Sequence, residues 1–147
     1  KLQGFDMNIL AYDKYAPATH ALTDIFEQAD ILSLHVPLTD ETKEMVNSAF
    51  IEQFKKPIVL INSSRGAVCS LEALASGLSS GKLRGLALDV LPNEKLATWT
   101  ATEKMLFDQI ASHPMTLFSP HVAGWTTESY WKINDALIDK IKTHYQL

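Results

Sequence analysis

A histidine and a carboxylate that are distant along the chain could work together in proton transfer. His121 follows a short apolar run and precedes two small residues, so it is expected in a loop before a helix. A histidine gives and takes protons near neutral pH, and a carboxylate beside it would orient its ring. Asp89 and Glu94 follow another apolar run and could supply that carboxylate. Taken alone, these groups also fit solvated loop charges and a surface histidine.

Arg65 is the candidate for holding an anion. It comes after an apolar run and two serines, and Gly66 follows it. A guanidinium can grip a carboxylate through two parallel hydrogen bonds. A glycine at the next position would let the backbone turn tightly or approach a ligand closely. The alternative is an ordinary surface arginine after a strand.

Two further positions could contact a nucleotide. Asp13 ends the apolar run Met7–Tyr12, and in nucleotide-binding folds a carboxylate at such a place accepts hydrogen bonds from the adenosine ribose. The acidic Asp13 favours NAD over NADP as the cofactor, although the neighbouring Lys14 would also tolerate a phosphate on the ribose. Pro37 would stop another strand and hold the residues after it against a ligand. Both positions also fit ordinary turns.

The elements that must position these side chains alternate between strands and helices. Near-continuous apolar runs predict strands buried in a parallel sheet at Met7–Tyr12, Ile31–Val36, Ile58–Ile61, Leu86–Val90 and Thr116–Phe118. Helical spacing of apolar residues predicts helices at Ala21–Gln28, Ser48–Phe54, Leu71–Leu78 and Thr126–Tyr145. This alternation indicates an α/β sheet, which binds ligands at the carboxyl ends of its strands.

Composition excludes several classes of protein. The 147 residues suffice for one core, and 46% hydrophobic with 20% charged residues is ordinary for a globular domain. A net charge of -4 argues against an extended nucleic-acid surface, and no apolar run suits a membrane span. The single cysteine, Cys69, is expected to be a packing residue and favours a reducing compartment. We therefore predict a cytoplasmic protein with no nucleic-acid partner, no membrane partner and no metal site.

Four strings in this order resemble the D-isomer-specific 2-hydroxyacid dehydrogenase family over essentially the whole chain. They are His35-Val36-Pro37-Leu38-Thr39, Asn62-Ser63-Ser64-Arg65-Gly66, Leu88-Asp89-Val90 with Glu94, and Pro120-His121-Val122-Ala123-Gly124-Trp125. The resemblance implies a Rossmann-like doubly wound parallel sheet with NAD as cofactor. It also implies hydride transfer between NAD(H) and a D-2-hydroxy acid or 2-keto acid. A homodimer is the expected assembly, as is common in this family.

The resemblance implies a role at each matching position. Arg65 would bind the substrate carboxylate and polarise its carbonyl, and His121 would protonate the new alkoxide. Glu94 would hydrogen-bond His121 and keep it protonated. Asp13 would hold the adenosine ribose, and Asp89 the nicotinamide carboxamide. The other residues expected to contact the cofactor are His35, Val36, Pro37, Thr39, Ser63, Ser64 and Gly124.

Measured against that family, residues 1–147 are expected to be a partial NAD-binding domain with a C-terminal helix. The first strand, the glycine-rich loop and the substrate-binding domain have no counterpart in the sequence. The missing strand would lie between those ending at Asp13 and Asn62, so this chain alone is expected to bind NADH weakly or not at all. Two other interpretations stay open: an NAD-binding regulatory or corepressor-like protein, and an inactive truncated module. Retention of Arg65, Glu94 and His121 argues against the first.

Overall fold

The fold is centred on a parallel sheet. The computed structural model describes residues 2–16 and 20–146. Its four-stranded sheet has the order β1-β2-β3-β4, and each neighbouring pair is parallel. The strands are β1 Ile31–Leu34, β2 Ile58–Asn62, β3 Leu83–Leu88 and β4 Thr116–Phe118. The prediction of a parallel, Rossmann-like α/β sheet is confirmed, with strand ends that differ from the expected ones by a few residues.

Five α-helices connect and flank the strands. They are α1 Leu22–Gln28, α2 Ser48–Glu52, α3 Leu71–Ser80, α4 Ala101–Ala111 and α5 Thr127–Tyr145. Short 3-10 helices lie at Leu2–Phe5, Gly66–Val68 and Leu96–Thr98. The predicted helices are confirmed, whereas α4 was missed. Its signal was present, because Thr100 and Glu103 form a capping box in which each side chain satisfies the other's backbone N–H. No helix among the described residues combines the length and apolarity needed to cross a membrane.

The core lies between one face of the sheet and the helices. Alternate strand residues such as Leu60 and Leu86 are fully buried there against Phe54, Leu74 and Ile110. Burial of such side chains is worth about 1.5–3 kcal/mol each, which makes this layer the main source of stability. The phenylalanines that join α1 to α2 pack edge to face, with ring centroids 5.0–5.8 Å apart.

The opposite face of the sheet is open within residues 2–16 and 20–146. The register aligns Ser33, Ile61, Ala87 and Leu117 in one row across all the strands of this face. Leu117 is 68% exposed, while Ile61 and Ala87 are half-buried. The second helical layer expected of a doubly wound sheet is therefore not found in the described part of the chain.

Residues 7–12 do not form the predicted strand. They are irregular, and Met7, Ile9 and Tyr12 are exposed. A strand is held by hydrogen bonds to a neighbour, and these residues pair with no strand in the part of the chain that the structure describes. The position expected for the missing strand was also wrong, because β2 pairs with β1 on one side and with β3 on the other and leaves no place for another strand.

Helix α5 has apolar residues at helical spacing, yet it buries none of them. Apart from half-buried Ser129, every residue of the helix is exposed. Trp131 is 67% exposed, and Leu137 and Ile141 are exposed as well. Since the described residues offer no surface against this side of the helix, its apolar side chains face outward.

Candidate active site at the carboxyl edge of the sheet

The predicted catalytic residues lie on loops that leave three neighbouring strands at one edge. Arg65 follows β2, Glu94 follows β3 and His121 follows β4. Since the strands are parallel, all these loops start from the carboxyl edge of the sheet. Sequence positions more than fifty residues apart are therefore brought to one side of the molecule by the sheet.

His121 and Glu94 are in direct contact. The His121 Nδ1 atom lies 2.9 Å from one carboxylate oxygen of Glu94 and 3.1 Å from the other. Both side chains are about half exposed, at 48% and 49%. The contact confirms the spatial pairing that the sequence suggested. It engages Nδ1, so Nε2 is the ring nitrogen that can face a reacting oxygen.

The backbone of His121 has an unusual conformation. Its φ of 54° is in the left-handed region, which non-glycine residues seldom occupy. Such a residue costs about 1–3 kcal/mol and persists only where its surroundings hold it. Here the His121 N–H donates to the carbonyl of Asp89 at 2.9 Å and to that of Ser119 at 3.0 Å. The loop is thus anchored to the end of β3.

Asp89 contributes its carboxylate to the same loop. Oδ1 accepts from the Ser119 hydroxyl at 2.6 Å and from the Val122 N–H at 2.9 Å, and Oδ2 accepts from the Ala123 N–H at 3.0 Å. The residue is only 7% exposed. Burial by itself raises the pKa of Asp89, but hydrogen bonds from Ser119, Ala123 and Val122 outweigh it, and the pKa is lowered. Asp89 is therefore a carboxylate at neutral pH.

Arg65 is held next to the Glu94 loop by its glycine neighbour. A Cβ on Gly66 would lie 1.9 Å from the Leu91 carbonyl carbon and 2.4 Å from the Pro92 nitrogen. The backbone after β2 thus touches the backbone after β3, which is a different reason for Gly66 from the tight turn or close ligand approach expected from the sequence. The Arg65 side chain is exposed, and its Nη1 donates to the Ser64 carbonyl at 2.7 Å.

Asn62 shapes the turn that carries Arg65, and sequence reasoning gave it no role. It is 1% exposed. Its Oδ1 accepts from the Ser64 N–H at 3.0 Å and from the Ser64 hydroxyl at 2.9 Å, while Nδ2 donates to the Arg65 carbonyl at 3.0 Å. The available signal was a polar residue at the end of a buried strand, where a side chain must find partners.

A cavity of about 160 Å³ opens between the ends of β2, β3 and β4. Two of the expected cofactor residues, Ser63 and Asp89, line it. Its walls are largely apolar, with a few polar groups at the rim, as is usual for a small-molecule site. The lining residues are Ile61, Asn62, Ser63, Ala87, Leu88, Asp89, Leu117, Ser119 and Ala123.

Asp13 and the residues after β1 form a second group of expected cofactor residues. The Asp13 Oδ1 atom accepts from the Tyr15 N–H at 2.8 Å. Lys14 and Glu41 form an ion pair at 2.6 Å, which links the Asp13 segment to the loop after β1. The side chain of Glu41 also raises the pKa of Lys14, through its hydrogen bond and its charge.

The loop after β1 and the turn before α5 hold the remaining positions. The Thr39 N–H donates to the Thr42 hydroxyl at 2.8 Å, and His35 Nε2 lies 2.9 Å from the Ser33 hydroxyl. Val36 is half-buried and Pro37 is exposed. Gly124 lies in open space, and its carbonyl accepts from the Ser129 hydroxyl at 2.8 Å.

Comparison with known proteins agrees with this arrangement. The model of the D-isomer specific 2-hydroxyacid dehydrogenase NAD-binding domain matches residues 1–123. The chain belongs to this family. Because the matching model describes an NAD-binding domain, NAD is the cofactor of the family to which the chain belongs. Within the described residues, no group of three or more acidic, histidine or cysteine side chains could hold a metal ion.

Several similar proteins are longer than this chain. D-lactate dehydrogenase of Lactobacillus delbrueckii subsp. bulgaricus is 34% identical, over 87% of this chain and 42% of its own. Hydroxypyruvate reductase of Thermotoga maritima is 30% identical, over 93% and 45%. The structure of Aquifex aeolicus D-lactate dehydrogenase complexed with NAD and lactic acid matches with a TM-score of 0.80 at 27% identity, covering 98% of this chain and 48% of that one. This chain thus spans less than half the length of these relatives.

Proposed function

We propose that residues 1–147 form part of the NAD-binding domain of an NAD-dependent D-2-hydroxyacid dehydrogenase. The observation that carries this proposal is the 2.9 Å contact between His121 and Glu94, on loops beside the one that bears Arg65. Family membership supports NAD as cofactor. Relatives named as D-lactate dehydrogenase and hydroxypyruvate reductase support a small 2-hydroxy or 2-keto acid as the substrate class.

In the proposed reduction, the bound cofactor supplies the hydride and this chain supplies charge and a proton. Arg65 binds the substrate carboxylate through paired hydrogen bonds and polarises the carbonyl that accepts the hydride. His121 donates its Nε2 proton to the oxygen as it becomes an alkoxide. Glu94 holds the ring by Nδ1 and so orients Nε2 toward that oxygen. In the oxidative direction, His121 takes the proton back.

The residues present fit the cofactor that the family implies. The apolar walls and polar rim of the 160 Å³ cavity suit a nicotinamide ring, with Ser63 and Asp89 at its edge. We assign the adenosine ribose to Asp13, the acidic residue that follows the apolar run Met7–Tyr12. The further cofactor contacts in this proposal are His35, Val36, Pro37, Thr39, Ser64 and Gly124.

The same proposal includes a substrate-binding domain outside residues 1–147, since the relatives are more than twice as long as the matched region. The open face of the sheet and the apolar side chains of α5 leave surface for that domain and for a second copy in a homodimer. We place the protein in the cytoplasm, which the buried free thiol of Cys69 supports.

The test is NADH oxidation by the protein that contains this chain, with pyruvate, glyoxylate and hydroxypyruvate as substrates. We expect His121→Gln to lower kcat by about 10²–10⁴-fold, the usual contribution of a general acid. Arg65→Lys should cost about 10–100-fold in kcat/KM, because a bond to a charged group is worth about 1.5–3 kcal/mol. Matched controls are His144→Gln and Arg84→Lys, both exposed and away from the site.

Two outcomes would contradict the proposal. Full turnover in His121→Gln would exclude the assigned proton donor. NADH binding without reduction of any 2-keto acid would instead favour a regulatory protein that uses NAD as a signal. Separately, calorimetry of residues 1–147 alone should find weak NADH binding or none, because no glycine-rich phosphate loop is present in this sequence.

A further inference from the structure

The His121 loop is folded around a carboxylate of the same chain. Successive backbone N–H groups in a turn that contains a left-handed residue form a concave site that attracts an anion. In this loop His121 is the left-handed residue, and the N–H groups of Val122 and Ala123 point to one place. The anion at that place is the Asp89 carboxylate.

Three hydrogen-bond donors of the His121 loop hold the Asp89 carboxylate. Oδ1 accepts from the Ser119 hydroxyl and the Val122 N–H, and Oδ2 accepts from the Ala123 N–H. Hydrogen bonds to a charged acceptor are about twice as strong as neutral ones. Because the group is 7% exposed, removing it would leave these donors without their buried acceptor.

The anchoring extends from one side of His121 to the other. The Ser119 N–H donates to the Leu88 carbonyl at 3.1 Å, which continues the pairing of β4 with β3, and the His121 N–H donates to the Asp89 carbonyl. Beyond His121, the carboxylate holds Val122 and Ala123. The backbone and side chain of Asp89 therefore fix both flanks of the residue that faces Glu94.

We propose that Asp89 is a positioning residue, whose carboxylate fills the N–H concavity of the His121 loop and so sets the imidazole against Glu94. This rests on the proposed function only for its catalytic consequence. It adds to the carboxamide-binding role that the family resemblance implied for Asp89, whose Oδ2 accepts only one of these hydrogen bonds. In the positioning role, loss of the carboxylate misplaces the proton donor.

Amide hydrogen exchange on the 147-residue chain, read residue by residue by NMR, tests the structural claim directly. In the unmodified protein, we expect the amides of Val122 and Ala123 to be protected by at least tenfold relative to an unstructured peptide. Lack of that protection would overturn the proposal without any variant. In Asp89→Asn, an NH₂ group must replace one acceptor oxygen, and we expect at least one of the two amides to exchange at least tenfold faster.

Two controls separate loop release from general unfolding. The Leu86 amide, bonded to the Met115 carbonyl at 3.0 Å within the sheet, should keep its protection in Asp89→Asn. Asp108→Asn removes an exposed carboxylate on α4 and should leave Val122 and Ala123 unchanged. Unaltered exchange at these two amides in a folded Asp89→Asn protein would refute the role.

Kinetics of the protein that contains this chain test the catalytic consequence. A positioning role predicts that Asp89→Asn lowers kcat by about 10–100-fold even at saturating NADH, since a shift of about 1 Å can cost that much. A tenfold higher KM for NADH with kcat retained would overturn it in favour of cofactor binding. If no 2-keto acid is reduced by the unmodified protein, the proposed function fails, and the exchange result still decides the loop claim.

Discussion

Gly66→Ala tests the contact that holds the Arg65 loop against the Glu94 loop. The new methyl carbon would lie 1.9 Å from the Leu91 carbonyl carbon, 2.0 Å from its oxygen and 2.4 Å from the Pro92 nitrogen. Non-bonded carbons prefer about 3.5 Å, so the two backbones must separate by roughly 1.5 Å. No rotamer change can relieve the contact, since backbone lies on both sides.

The expected loss of unfolding free energy in Gly66→Ala is at the upper end of the range for overpacked sites. Extra methyl groups that side chains can accommodate cost about 1–3 kcal/mol, and here the main chain must move, so we expect a loss of about 3 kcal/mol or more. Urea unfolding followed by far-UV circular dichroism measures it. With a slope of about 1–3 kcal/mol per molar urea, the midpoint should fall by about 1–3 M.

Gly124→Ala is the matched control. A Cβ at Gly124 meets nothing within 4 Å, and its φ is not in the left-handed region. Its free energy of unfolding should stay within about 0.5 kcal/mol of the unmodified chain. A Gly66→Ala protein as stable as this control would show that the loops are not in backbone contact, and the link between Arg65 and Glu94 would lose its structural basis.

Three further predictions follow from local chemistry. Thr100→Ala removes the N-cap of α4 and should lower the free energy of unfolding by about 1 kcal/mol in urea; no change would deny the capping box. Burial raises the pKa of the Cys69 thiol to about 12, so a thiol reagent should label it slowly until urea unfolds the chain; immediate native labelling would contradict this. The lowered pKa of Asp89 stabilises the fold above the unfolded pKa, and that stability is lost as pH falls below about 4. In Asp89→Asn, the free energy of unfolding should therefore fall less as the pH drops below about 4. An unchanged pH dependence would show that other groups cause the loss of stability.

Much of the fold follows from local patterns in the sequence. The apolar runs that became β2 and β4 are short, contain β-branched or aromatic residues, and are followed directly by a polar residue, so their strand character is readable from the sequence. Gly81, at φ 76°, ends α3 where the sequence indicated a stop. Once parallel strands are recognised, the loops that carry Arg65 and His121 must share the carboxyl edge.

Other expectations failed because they depended on partners that periodicity does not reveal. Residues 7–12 have the composition of a strand, but a strand also needs a neighbour to pair with. The apolar spacing of α5 is that of a packed helix, yet Trp131 and Leu137 are exposed, because burial depends on what lies opposite. The sequence likewise contained no information on which strand would be left at the edge.

For the candidate site as well, some features follow from the sequence and others only from the tertiary structure. The sequence by itself determined which residue types could move a proton or hold an anion, since that chemistry belongs to the side chains of His121, Glu94 and Arg65. Only the tertiary structure decided that Nδ1 of His121 meets Glu94, that Gly66 touches backbone, and that Asp89 faces the His121 loop. These facts depend on distances between segments distant along the chain, which the packing of strands and loops sets.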